Sequence, residues 1–233
     1  MDFSNQLIRC SALGRIMSNG RAKNEMGETC KTFLKELYIE KVYGFRKDIK
    51  SKYIEKGLLV EENAISFYSV QNGGFYYKNE QRFNNEFLTG EPDIITDEFV
   101  IDIKSSYSVS THFDKIFDKL ENKSLNKDYY YQLMGYMNLT GLRKAKVAYV
   151  LVDTPEKIIE DEKRKLSWEM YATSDLSPEF LEACEDVDRN HDLSRVPVEK
   201  RIIEFDIEYD EKVVEEIYKR VQECRIYLNS LNG

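Results

Sequence analysis

Asp93, Asp102 and Lys104 have residue types and a spacing that could do chemistry. Residues 94–96 and 99–104 are rich in β-branched and apolar side chains, and Asp97 and Glu98 lie between them. That pattern predicts a β-hairpin with a two-residue turn. The turn pairs Thr96 with Phe99, Ile95 with Val100 and Ile94 with Ile101, which sets Asp93 opposite Asp102. Facing residues hold their Cβ atoms roughly 4.5–5.5 Å apart, where like charges repel. A bound divalent cation turns that repulsion into coordination, and oxygen ligands of this kind suit Mg²⁺ or Mn²⁺. Lys104 follows two residues on, hence on the same face as Asp102, and sets a positive charge beside the metal. The set suits hydrolysis of a phosphodiester. A bare Asp-x-Lys also occurs as ordinary strand polarity; the hairpin register and Pro92 favour the site.

Pro92-Asp93, then Asp102-Ile103-Lys104, and further on Gln132 and Tyr136 in a Q-x-x-x-Y arrangement, resemble the PD-(D/E)xK nuclease superfamily. Within it the order of motifs is similar to the lambda exonuclease/YqaJ viral recombinase group, a RecB-like branch. The likeness covers roughly residues 8–152, and residues 154–200 match nothing in that pattern. It implies an α/β fold with a restriction-endonuclease-like core: a central mixed β-sheet flanked by helices. Here a helical insertion precedes the last strand and the C-terminal helix. It also implies a Mg²⁺-dependent deoxyribonuclease acting on ends of double-stranded DNA, with 5′→3′ polarity. A single-strand annealing partner, a homo-oligomer and a role in phage-type recombination go with it. An endonuclease on the same core and a non-catalytic DNA- or protein-binding module stay open as rivals.

The elements around the hairpin supply the remaining candidates. Residues 51–68 read as a helix on which Gly57 and Glu61 share a face. The order Gly-x-x-x-Glu, with Ala64 in register, resembles the group's first motif, in which Glu reaches the metal; Glu62 is the fallback in that doublet. The candidate metal set is thus Asp93, Asp102, the Ile103 carbonyl and Glu61. Residues 128–141 read as a helix closed by Gly141. On it Gln132 and Tyr136 point the same way, Gln132 to orient a water or a ligating carboxylate and Tyr136 to bond phosphate. Ser105 sits where such nucleases contact the scissile phosphate. By the same resemblance Arg9 and Ser11 are candidates for phosphate contacts, Ser11 as the cap of a short helix.

Residues 75–78 and 86–89 are expected as strands of the central sheet, 144–152 as a buried strand and 202–209 as the last one. Phe113, Ile116, Phe117 and Leu120 form a helical stripe expected in the core, interleaved with Lys115, Lys119, Lys123 and Lys127. Residues 155–171 and 177–190 are acidic helical segments, each with a Thr/Ser-Pro start. We expect one nuclease domain over residues 1–233, with core at about 8–152 and 200–230 and the insertion at about 154–198.

Composition narrows the class. The chain has 233 residues, 42% hydrophobic and 12% aromatic, which is globular rather than disordered. No apolar run reaches the length of a membrane span and the N-terminus has no signal-peptide pattern, so a cytoplasmic protein is expected. Cys10, Cys30, Cys184 and Cys224 lack C-x-x-C pairing, which speaks against zinc or iron–sulfur centres and for reduced thiols. With His112 and His191 the only histidines, histidine-based chemistry has little material. The net charge of −8 is unevenly spread. Lys and Arg exceed Asp and Glu over residues 1–60 and fall far below them over 154–233, leaving a basic portion for phosphates.

Overall fold

A computed structural model describes residues 1–21, 25–46, 51–121, 123, 125–170 and 177–232. The chain enters on β1 (Ile8–Arg9), a 3₁₀ turn (Cys10–Ala12) and the short α1 (Leu13–Ile16), followed by α2 (Glu28–Tyr43) and α3 (Lys52–Gln71). Strands β2 (Phe83–Asn84) and β3 (Leu88–Gly90) lead into β4 (Ile94–Ile95) and β5 (Phe99–Ser105). Then come α4 (Val109–Leu120), α5 (Lys127–Thr140), β6 (Lys144–Val150), α6 (Glu156–Glu169) and α7 (Pro178–His191). A 3₁₀ turn (Val198–Lys200), β7 (Ile202–Glu208) and α8 (Glu211–Ser230) close the chain.

The expected hairpin forms in the expected register: Ile94 pairs with Ile101 and Ile95 with Val100, and Thr96 N donates to Phe99 O at 2.9 Å. Four strands run in the order β4-β5-β6-β7, with β5 and β6 parallel and the outer pairs antiparallel. This is the mixed, helix-flanked α/β sheet that the family resemblance implies. Strand alternation sends Val100, Ala145 and Val147 into a core shared with α1, α2, α5 and α8, and sends Ile101, Ile103, Ala148 and Val150 onto α3. Burying Val100 and Ile101 contributes roughly 1.5–3 kcal/mol each. Strand packing of that size holds Asp102, fully enclosed beside them, in a place a lone carboxylate would leave.

Caps set the helices that matter to the site. Asn126 accepts from Asp128 N at the start of α5, and Gly141 ends it with φ +79°, its N–H bonded to Met137 O. Asp210 caps α8 through Lys212 N and Val213 N.

Several local expectations are corrected. Residues 75–78 are not a strand, and Leu88–Gly90 belongs to a separate small sheet, β1-β3-β2. Aromatic content suggested the first strand, yet Phe75 and Tyr77 are exposed. On α4 the supposed core stripe ends in exposed Phe117 and Leu120, and the buried residue is His112. Ser11 lies inside the 3₁₀ turn and caps nothing, because neither that turn nor α1 has a side-chain cap. Thr154 does not cap α6; its hydroxyl bonds Lys56 and His191 instead. Tyr171, the expected end of the first arm helix, lies outside the described residues. The two arm helices, α6 and α7, pack on each other, and α7 reaches α4.

Candidate active site

Strand β5 and the residue before β4 deliver the carboxylates. Pro92 and Asp93 are fixed from the side by Asn79, whose backbone N donates to Asp93 O at 2.7 Å and whose Nδ2 donates to Pro92 O at 2.9 Å. Asp93 Oδ2 accepts from Ile103 N at 2.7 Å, so the carboxyl is aimed at β5 by the strand it faces. Asp102 is fully enclosed. Its Oδ1 accepts from Gln132 Nε2 at 3.1 Å, and the same amide nitrogen donates to Tyr136 Oη at 3.1 Å. Its Oδ2 has no directed hydrogen bond and meets only the ammonium of Lys104, 2.8 Å away.

The electrostatics follow from that crowding. Burial, and then the charge of Asp102, push the Asp93 carboxyl up to about 7. Burial works against a charged Lys104, but the charges of Asp102 and Asp93 outweigh it and raise the lysine above its ordinary value. Lys104 is therefore held as an ammonium, without a lone pair to act as a base. Its Nζ also lies 5.0 Å from the centroid of the Tyr129 ring.

These groups meet a cleft of about 640 Å³. Glu61, Asp93, Ile103, Lys104, Ser105 and Tyr129 are on its wall, with Tyr53, Ile54, Leu58 and Tyr107 toward α3 and Lys115 and Tyr149 on the other side. Glu61 rather than Glu62 lines it, and Glu61 is tied to Lys78 at 2.9 Å. Gly57 also lines the cleft, where nothing lies within 4 Å of a Cβ built on it. Tyr136 is buried behind Gln132 instead of facing the cleft. It packs against Gly90, where an added Cβ would come 2.8 Å from its ring and 2.9 Å from Cys10 Sγ. Arg9 lines a different cleft with Lys41 and Arg82, and Ser11 is exposed. So Glu61, Asp93, Lys104 and Ser105 share one cleft, Asp102 and Gln132 back it, and Arg9 and Ser11 do not join it.

The donor set fits a divalent cation. Two facing carboxylates, one with a buried oxygen satisfied only by a positive charge, suit an ion that takes one or two carboxylates and keeps several waters. Among the described residues no three acidic, histidine or cysteine side chains converge as a complete cage. Glu61 is engaged by Lys78 rather than turned to the aspartates. Asn79, Lys78 and Tyr129 escaped the sequence reading. Of these only Tyr129 carried a signal, three residues before Gln132 on the same helix face.

No protein-family model matches the sequence, and no curated protein does either. Solved structures do. A phage-related exonuclease from Haemophilus somnus 129PT superposes with a TM-score of 0.74 at 26% identity, over 97% of this chain and 95% of that one. The alkaline exonuclease LHK-Exo of Laribacter hongkongensis superposes with a TM-score of 0.64 at 15% identity, over 97% and 90%. Its complex with dAMP gives 0.63 at 16%, over 98% and 90%. The superpositions extend over nearly the whole chain, further than the roughly 8–152 that the motif resemblance covers. With the aspartate pair and Lys104 on the hairpin, Gln132 behind them and these likenesses end to end, the chain has the lambda exonuclease/YqaJ-like nuclease fold.

Proposed function

We propose that this protein is a DNA exonuclease that hydrolyses phosphodiesters at the ends of double-stranded DNA with the help of a divalent cation, Mg²⁺ or Mn²⁺. One observation carries the reading: Asp93, just before β4, lies across from Asp102 on β5, with Lys104 two residues further along β5, in a fold shared with exonucleases. Asp93 and Asp102 would hold the ion, with the Ile103 carbonyl and, once released from Lys78, Glu61. When bound, the ion supplies Lewis acidity toward water and the phosphoryl oxygens. Gln132 holds Asp102 Oδ1 in place, and Tyr136 backs Gln132 through its hydroxyl. Lys104, kept charged by both aspartates and resting on Tyr129, offsets negative charge growing on the scissile phosphate. Ser105 lies on the cleft wall, and the family resemblance suggests that it would contact that phosphate. Lys115 adds positive charge along the same wall.

The family resemblance extends the reading to 5′→3′ polarity and one nuclease domain. It also suggests phosphate contacts from Arg9 and Ser11 when DNA extends beyond the cleft, a homo-oligomer and a single-strand annealing partner. We place the work in the cytoplasm of a bacterial or phage-infected cell. Among the described residues no helix is long and apolar enough to cross a membrane. The test is digestion of matched linear and covalently closed circular duplexes in Mg²⁺. Loss of the linear DNA alone, starting from the 5′ ends, is expected. Cutting of the circle would move the protein to the endonucleases, and no cleavage of either would leave a binding module.

A further inference from the structure

Away from the cleft, α2 and α8 bring two cysteines into contact. Cys30 Sγ and Cys224 Sγ lie 3.8 Å apart, 194 residues apart in sequence, and both side chains are fully buried. Cys30 is the third residue of α2, inside the first helical turn, where the positive end of the helix dipole favours an anion. One turn before Cys224 on α8 stands Arg220, itself buried. Its Nη2 donates to Asn19 Oδ1 at 2.7 Å and its Nε lies 3.4 Å from Glu223 Oε2, while Nη1 is enclosed without a partner. A guanidinium with an unused buried N–H is a standing preference for negative charge nearby. Contact with Cys224, helped by Arg220 and opposed by burial, lowers the Cys30 thiol, while that contact and burial raise Cys224. The result is two buried sulfurs in contact, with a helix N-terminus at one and a buried guanidinium one turn from the other.

We propose that Cys30 and Cys224 form a redox-active dithiol that closes to a disulfide and pins α2 to the C-terminal helix. Hydrogen peroxide, a two-electron oxidant, suffices. The Cys30 thiolate attacks the terminal peroxide oxygen and the O–O bond breaks, giving a Cys30 sulfenic acid and, after protonation of the leaving oxygen, water. The Cys224 sulfur then attacks the Cys30 sulfur and displaces hydroxide, which takes up the Cys224 proton as a second water. The two sulfurs together lose two electrons and the peroxide gains them. The sulfurs, 3.8 Å apart, must approach by roughly 2 Å to reach bonding distance. Both are enclosed, so the oxidant enters through local opening, and the finished bond is shielded in the same way. The pair is set apart from the other two thiols: Cys10 is buried with its thiol raised by burial, and Cys184 is half-buried on α7.

The test uses the wild-type folded chain. It is treated with hydrogen peroxide, quenched in acid, denatured, alkylated and mapped by mass spectrometry without reduction. The expected result is a Cys30-to-Cys224 peptide pair, loss of two alkylatable thiols and of two hydrogen masses, and full reversal by dithiothreitol. Closing so long a loop should also raise Tm by roughly 5–15 °C. In Cys224→Ser the sulfenic acid should persist on Cys30 and react with dimedone. Free Cys30 and Cys224 after complete oxidation of Cys184, or a bond mapping to Cys10 or Cys184, would overturn the proposal. The wild-type map decides it even if the variant does not fold.

Discussion

Replacing Asp93 with Asn removes one of two facing carboxylates but keeps an oxygen for the 2.7 Å hydrogen bond from Ile103 N. In the metal-free protein the Asp93 carboxyl is pushed up to about 7 from an ordinary 3.8 by burial and by Asp102. A folded-state pKa above the unfolded one means the folded chain holds the proton more tightly. The associated stability is fully present below about pH 4 and is withdrawn as pH rises to about 7. At about 1.4 kcal/mol per unit, ionised Asp93 costs the fold up to roughly 4 kcal/mol at pH 8. The Asn amide puts an NH₂ group into the same enclosure, at about 1–3 kcal/mol if it finds no acceptor. The net gain is about 2 kcal/mol, or a Tm higher by about 4–8 °C. Thermal unfolding in EDTA at pH 8 and pH 5 measures this directly. Asp93→Asn should unfold later than wild type at pH 8, and the gap should shrink at pH 5. Adding Mg²⁺ should raise the wild-type Tm and leave the variant unmoved. A variant less stable than wild type at pH 8, or a gap indifferent to pH, would refute the idea that the two carboxylates are held together against their repulsion.

Substitutions at three further positions probe the support of the site and of the fold around it. Gln132→Leu strips the amide that joins Asp102 Oδ1 to the Tyr136 hydroxyl, and should lower metal-dependent cleavage roughly 10–100-fold with a higher Mg²⁺ requirement. Tyr129→Leu removes the ring beside the Lys104 ammonium and should slow single-turnover cleavage roughly 3–30-fold, whereas Tyr129→Phe keeps the ring face and most of the rate. Equal losses in the two Tyr129 variants would assign the effect to the hydroxyl. Lys56→Met removes a buried donor to Tyr107 O, Val152 O and Thr154 Oγ1, and should cost about 2–5 kcal/mol in urea unfolding.

The site was legible where local rules suffice. A strand period of two and a two-residue turn placed Asp93 against Asp102 without reference to any other element, and helical spacing put Gln132 and Tyr136 on one face. Expectations failed where packing between distant elements decides. Phe117 and Leu120 have the spacing of a core stripe, yet they face solvent, and the side chain that α4 buries is His112. Nothing in the helical pattern singles out Lys56; three acceptors just beyond the ends of β5 and β6 hold it inside. Asn79 looks like loop polarity, and only the fold shows it holding Pro92 and Asp93. Glu61 is a candidate by its distance from Gly57, but its pairing with Lys78 depends on where the chain returns after α3.

The most direct measurement is the single-turnover cleavage rate on an end-labelled linear duplex against Mg²⁺ concentration, for wild type and Asp102→Asn. The wild-type rate should be nil in EDTA and rise saturably with the ion. The variant, with the buried ligand neutralised, should fall by roughly a thousandfold or more at any Mg²⁺ concentration. Cleavage that persists in EDTA, or a variant as fast as wild type, would contradict a metal centre on Asp93 and Asp102.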